Sequence, residues 1–284
     1  MATRKHLFCL AKWQDEFDPI RTRLSRFLQF KSRKARAESR RVIRWTARNL
    51  GSLAVAWLTL VALIAVFRIA SSPTPPTGFE GYAQLAIPYW LVALAPVAGF
   101  MLGRAAFLGE ARRRPSSMHF SQVGKWRSVS VREAMRHPSY GPIGFMASLI
   151  IGMLLNVMLR TAEFAMAIPA LTTEAPPWGI ALFWLVTLDV VIMNFFYAVC
   201  FVMALRSVPL FPKMLLFAWL MDILLQLGIA HRATSYELPS SVAVALQSLL
   251  TGNVQKVLIS MMIWLPYLIL AERVNVTYRH RIAR

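Results

Sequence analysis

Between Ala181 and Val199 the chain reads ALFWLVTLDVVIMNFFYAV, nineteen residues with a single charged side chain. A helix of about 20 predominantly apolar residues covers the ~30 Å hydrocarbon core of a bilayer. Within that core every backbone polar group must be satisfied inside the segment, so only helices and closed barrels cross. This stretch therefore excludes most soluble folds. Five further runs share its character, and the spacing predicts six helices: Asn49–Phe67, Ala83–Leu108, Ile143–Arg160, Ile180–Leu205, Leu210–Ala230 and Val257–Ala271. The composition agrees, with 57% hydrophobic and 16% charged residues against the ~25% charged expected of a soluble domain. The expected fold is an all-α polytopic membrane bundle.

Charge then orients it. Of the 32 Lys and Arg, 28 fall in residues 1–48, the 104–141 loop, the turn Arg206–Lys213 and the tail after Ala271. Only Arg68, Arg160, Arg232 and Lys256 are left for the other side. Lys and Arg mark cytoplasmic segments near span ends, so both termini are expected in the cytoplasm, N-in and C-in. A seventh span would invert every later loop. The apolar stretch Ser240–Asn253 is therefore read as interfacial or re-entrant. The first residues lack the apolar core and small-residue cleavage site of a signal peptide, so the N-terminus is expected to be retained.

The arm has its own pattern. In DPIRTRLSRFLQF, Asp18 suits an N-cap and Pro19 a first helical residue. Phe17, Ile20, Leu24, Phe27 and Leu28 share one face, with Arg21, Arg23 and Arg26 mostly off it. That is the pattern of a basic amphipathic N-terminal helix lying on a leaflet, and the polybasic KSRKARAESRRVIRW that follows would meet anionic lipid at about 1 kcal/mol per charge. Nucleic acid is not expected, because no zinc finger, helix-turn-helix or RNA-binding signature accompanies the charge. In the second basic loop, Ser128 or Ser130 would start a short helix, with Glu133 completing a capping box from Ser130, and His137-Pro138 would end it.

Against this background, charges inside spans need a reason. A charged side chain at the bilayer centre costs roughly 3 kcal/mol on insertion scales. Asp189 and Asp222 fall at nearly the same depth on consecutive antiparallel spans, slightly toward the outer side of the middle. Asn156, Arg160 and Glu163, spaced four and three apart, share a stripe. Gln226 shares a face with Asp222, and Tyr267 shares one with Ser260 and Trp264. These residues (Asn156, Arg160, Glu163, Asp189, Asp222, Gln226 and Tyr267) form the candidate intramembrane polar site. One reading is packing, through an Arg160–Asp189 pair or through protonated aspartates bonded to Asn156 and Tyr267. The other is a small transporter or proton-coupled binding protein using the two aspartates.

Catalysis is not expected. The flanks TLDVV and LMDIL lack the Tyr-Asp and Gly-x-Gly-Asp settings of intramembrane aspartyl proteases, and all five histidines lie outside the expected spans. Cys9 and Cys200 fall in the arm and in a span, which suggests neither a disulfide nor a metal, and no cofactor is implied.

The stretch GNVQKVLISMMIWLPYLILAERVNVTY, preceded by LRSVPLFPKMLLFAW, resembles the YdgK-like domain-of-unknown-function family of small bacterial polytopic inner-membrane proteins. The resemblance covers about residues 138–281. It rests on Phe211, Pro212, Trp264, Pro266, Tyr267, Arg273, Val274 and Thr277, with AER as a departure ahead of the Arg-Val pair. It implies a four-helix family core and carries no established activity. The resulting organisation is a basic arm (1–48), a two-helix hairpin (49–108), a basic loop (109–142), the core (143–271) and a basic tail (272–284). The function expected is that of a scaffold or accessory subunit whose basic cytoplasmic face meets anionic lipid or an acidic protein partner. Nothing in the sequence speaks to homo-oligomers.

Overall fold

The structure is a computed structural model that describes residues 37–76, 78–107, 125–172 and 174–284. The amphipathic helix expected around Phe17–Leu28 lies outside the described residues, as does the basic stretch 108–124. The chain is an all-α bundle with six helices long and apolar enough to cross a membrane.

A lead-in helix, α1, is described over residues 37–48 and runs almost directly into α2 (Leu50–Ala70). Then come α3 (Gly78–Ala106), the strand β1 (Trp126–Ser128), the short α4 (Val131–Arg136), α5 (Phe145–Ala167) and α6 (Pro177–Leu205). The chain closes with α7 (Phe211–Ala233), α8 (Ser240–Leu270), α9 (Glu272–Arg279) and the strand β2 (Arg281–Ala283). The six spans fall where the apolar runs place them, with one correction. Ser240–Asn253 is neither interfacial nor re-entrant: it is the first half of the last span, a continuous 31-residue helix. At 1.5 Å per residue that helix is longer than the hydrocarbon core, a mismatch taken up by tilt or by extension into the interface. The count of six survives because the stretch lengthens a span and adds none.

The hub is α6. Seventeen of its 29 residues are buried, and it packs against α3, α5 and α7. Such a helix is apolar all round, as buried helices are. By contrast α2 buries only Val61 and lies against α3, while α8 lies on α7. The α3–α6 contact is close because Gly99 and Gly103 present no side chain, a small-xxx-small arrangement. A Cβ at Gly99 would stand 2.5 Å from the Phe195 carbonyl oxygen, and one at Gly103 would stand 3.1 Å from the Val202 Cβ.

One end of the bundle carries a cap. β1 pairs antiparallel with β2, Arg127 opposite Ile282, so the second basic loop is stitched to the C-terminal tail. Ser130 caps α4 by accepting from the Glu133 N–H, while the Glu133 carboxylate turns to Arg127 at 2.7 Å. The α9 helix is pinned beneath: fully buried Tyr278 donates to the Ala204 carbonyl at 3.0 Å and packs on Phe211. Arg279 donates to the Leu268 and Ile269 carbonyls, closing the C-terminus of α8, where helix carbonyls otherwise lack partners. Arg206 does the same for α3 through the Arg104 and Phe107 carbonyls. The Gly144 N–H donates to Ser39 Oγ at 2.9 Å, which brings α1 to the same end. At the opposite end Arg68 donates to the Ile168 carbonyl and Ser72 to that of Ala170.

Candidate functional site

Arg160 is the centre of the polar layer. It sits on α5, four residues past Asn156 at the middle of that helix, and is 7% exposed. Its Nη1 donates to Asp222 Oδ2 at 2.8 Å and its Nη2 to Asp222 Oδ1 at 2.7 Å, a fork-to-fork pair. The same Nη2 reaches Asp189 Oδ2 at 3.0 Å and Oδ1 at 3.3 Å. One guanidinium thus clasps a carboxylate from α6 and another from α7. Bidentate Arg–carboxylate pairs are among the stronger and more directional of protein hydrogen bonds.

The clasp is enclosed by further donors. Tyr197 OH donates to Asp222 Oδ2 at 3.0 Å, and Gln226 Nε2 to Asp189 Oδ1 at 3.0 Å. Gln226 in turn accepts from Asn253 Nδ2 of α8 at 3.2 Å. Beside the clasp, buried Asn194 donates to Thr161 Oγ1 at 2.9 Å, a second α5–α6 tie. Four helices therefore meet in one connected network. Every carboxylate oxygen in it accepts at least one hydrogen bond, which is what a buried charge requires.

Of the seven residues singled out in the sequence, four belong to this network: Arg160, Asp189, Asp222 and Gln226. Asn156 and Glu163 do not bond the aspartates. Asn156 makes no side-chain hydrogen bond among the described residues and faces a cleft, and Glu163 pairs with Lys256 of α8 at the cleft's edge. Tyr267 is also elsewhere, edge-on to Phe145 at 5.0 Å between centroids and beside Trp264, near the capped end. The pairing of protonated aspartates with Asn156 and Tyr267 is thus replaced by ion pairing to Arg160. Tyr197 and Asn253 were not anticipated. Lys256, counted above with the outer charges, lies close to the middle of α8 and not in a loop.

The cleft lies between α5 and α8, with a volume of about 350 Å³. Both of its ends are bridged, one by Lys256–Glu163 and the other by Phe145 against Trp264 at 4.6 Å. Its floor carries Arg160, Tyr197 and Asp222.

The second candidate surface is the capped end. Among the described residues it gathers fifteen Lys and Arg from α1, the end of α3, the α4 segment, the α6–α7 turn and the tail, against Glu38, Glu133 and Glu272. Burial lowers the Arg279 pKa to about 10, with the neighbouring Arg281 acting in the same direction, and burial likewise lowers that of His280.

The residues of the family resemblance do structural work at this end. Thr277 Oγ1 accepts from the Gly141 N–H at 3.0 Å, and Arg273 donates to the Gly141 carbonyl. Val274 is fully buried, Pro212 stands in the first turn of α7 and Pro266 lies inside α8. Comparison of the chain with protein-family models, with characterised proteins and with solved structures returns no match.

Proposed function

We propose that this is a multi-pass inner-membrane protein without catalytic activity, a scaffold or accessory subunit. Its basic face would lie in the cytoplasm and engage anionic lipid or an acidic protein partner. The observation that carries the reading is the convergence of the cationic segments, fifteen Lys and Arg against three Glu among the described residues, at one end of the bundle. The first described element, α1, and the C-terminal tail both lie at that end, which supports the N-in, C-in orientation. A rigid cap presents the charges: the β1–β2 ribbon, buried α9 and the Arg279 and Arg206 clasps hold the basic segments to the spans. Near an acidic leaflet each such charge contributes about 1 kcal/mol. Membership of the YdgK-like group belongs to the same proposal and rests on the sequence resemblance alone.

The transporter reading draws less support from the geometry. Both aspartates are engaged by Arg160 and capped by Tyr197 and Gln226, which is the arrangement of a lock between α5, α6 and α7. The experiment that separates the two is charge removal at the face. The full chain with Arg40, Arg41 and Arg44 changed to Gln is purified from native membranes beside the parent. The proposal expects less copurifying anionic lipid or loss of a stoichiometric acidic partner. An unchanged complement of both would count against it.

A further inference from the structure

The α5–α8 cleft is independent of the basic face, and its chemistry can be read from which groups are already satisfied. The acceptors of the clasp are taken. Asp222 receives Arg160 and Tyr197, Asp189 receives Arg160 and Gln226, and the Gln226 carbonyl receives Asn253. The Asn253 carbonyl and Glu163 both face Lys256. What remains at the clasp is donor capacity, with the Asn156 amide, both donor and acceptor, beside it. Arg160 Nε is buried with no hydrogen-bond partner, and the Asn156 amide, half-buried in the same wall, has none among the described residues. A buried unpaired N–H is costly, and a ligand that satisfies these groups must bring an acceptor.

Charge narrows the class. Arg160 and Lys256 stand against Asp222 and Glu163 in the lining and Asp189 behind it, so the ionised layer carries one net negative charge. An anionic headgroup would enter against that field, and a cation would find the carboxylates already bonded. An uncharged acceptor, a carbonyl oxygen, suits the layer best.

Shape narrows it further. From Glu163 down to Leu149 the α5 wall runs about 21 Å at 1.5 Å per residue. Its lower half, faced by Met153, Leu215, Trp219, Val257 and Trp264, is apolar. Gly152 leaves open space where a side chain would stand. The volume of about 350 Å³ is at the small end of ligand pockets, ~300–1,000 Å³. Leu155 and Leu159 on one rim, and Ile259 and Ile263 on α8, are 50–61% exposed. In a bundle of this kind those faces meet acyl chains, so the way in is lateral, from the bilayer.

We propose that the cleft between α5 and α8 binds an uncharged amphiphile, its head carbonyl accepting from Arg160 and Asn156 and its apolar body lying along the Met153–Trp219–Trp264 wall. Two membrane constituents offer that chemistry: the ester carbonyl of a diglyceride and the ring carbonyl of a lipophilic quinone.

The test uses the full chain in phosphatidylcholine nanodiscs with three diazirine-tailed photoprobes: a diacylglycerol, a decyl benzoquinone and a phosphatidate. After irradiation, adducts are mapped by mass spectrometry with and without excess unlabelled competitor. The proposal expects adducts on residues 149–163 and 253–264 that competitor displaces, from the glyceride or the quinone probe, whichever is the source. Adducts on lipid-facing Leu63 and Val66 of α2 should not be displaceable. Filling the space with Gly152→Leu, or removing the amide with Asn156→Leu, should each weaken displaceable labelling about tenfold, the scale of one lost hydrogen bond or one blocked contact. Because the two variants alter the cleft differently, misfolding of one leaves the other as a test. Labelling that competitor does not displace, labelling unchanged in both variants, or tighter displaceable binding of the phosphatidate would each overturn the proposal.

Discussion

Replacing Arg160 by Met keeps an unbranched apolar stem and removes the guanidinium, with its charge and all its N–H donors. Four contacts disappear, to Asp222 at 2.8 and 2.7 Å and to Asp189 at 3.0 and 3.3 Å. Two buried acids are then left side by side with no counter-charge. Inter-helix hydrogen bonds in membranes average ~0.6 kcal/mol, so four contacts counted singly give about 2 kcal/mol. Breaking a buried ion pair from one side costs ~3–5 kcal/mol, because the abandoned charge must be neutralised in place. The expected loss for Arg160→Met is therefore about 3–4 kcal/mol. Changing both partners as well, Asp189→Asn with Asp222→Asn, removes that penalty and should bring the triple variant back to within ~1–2 kcal/mol of the parent. Of the single Asn variants, Asp222→Asn should cost more, since Asp222 accepts both arms of the guanidinium and Tyr197. Reversible unfolding in mixed dodecylmaltoside–SDS micelles, followed by tryptophan fluorescence and circular dichroism, measures all four. A loss under ~1 kcal/mol for Arg160→Met, or a triple variant less stable than the single one, would refute the reasoning.

Further outcomes follow from the packing and the cap. Gly99→Leu must push α3 away from the Phe195 carbonyl, 2.5 Å from where its Cβ would stand; overpacking of this kind costs ~1–3 kcal/mol, read in the same unfolding assay, with Gly51→Leu on open surface as the neutral control. Thr277→Val leaves the buried Gly141 N–H without its acceptor and should cost ~1–3 kcal/mol, seen as faster hydrogen exchange at residues 139–144. The cap should also loosen in acid. Burial lowers the His280 pKa in the folded chain, so the two states bind protons equally well above about pH 6.5, the ordinary histidine value. Below it the unfolded tail takes up the proton more readily and stability falls. Tail protection against exchange should therefore drop from pH 7.5 to 5.5, and His280→Asn, which tolerates the left-handed backbone there, should flatten that dependence.

How much of this was legible in the chain differs from element to element. The spans were, because length and apolarity decide what crosses a bilayer. The facing of Asp189 and Asp222 followed from counting inward along two well-bounded helices, and Arg160 followed from its place on the stripe. Tyr267 was misplaced for one reason. The last span was read as Val257–Ala271, whereas the helix starts at Ser240, so its middle lies near Asn253 and Lys256, and Tyr267 sits close to its end. The same shift hid Asn253 as the partner of Gln226 and made Lys256 look external. Tyr197 gave no signal, being one aromatic ring among many in a helix that is apolar all round. Asn156 and Glu163 share the Arg160 stripe, but on a helix that stripe spreads over an arc, and only Arg160 is long enough to reach across to α6 and α7. The β1–β2 ribbon pairs two three-residue strands about 150 residues apart in the chain, a contact that no local pattern encodes.

The claim on which the rest depends is that one end of the bundle, with its cationic cap, faces the cytoplasm. Single cysteines introduced into a Cys9→Ser, Cys200→Ser chain test it through a membrane-impermeant maleimide. The exposed sites are Ser128 and Ala283 at the capped end and Ser71 and Ser235 at the other. The account predicts that in intact spheroplasts only Ser71→Cys and Ser235→Cys react, and that in inside-out vesicles only Ser128→Cys and Ala283→Cys do. Labelling of Ser128→Cys and Ala283→Cys from opposite sides, or of both from the outside, would contradict it.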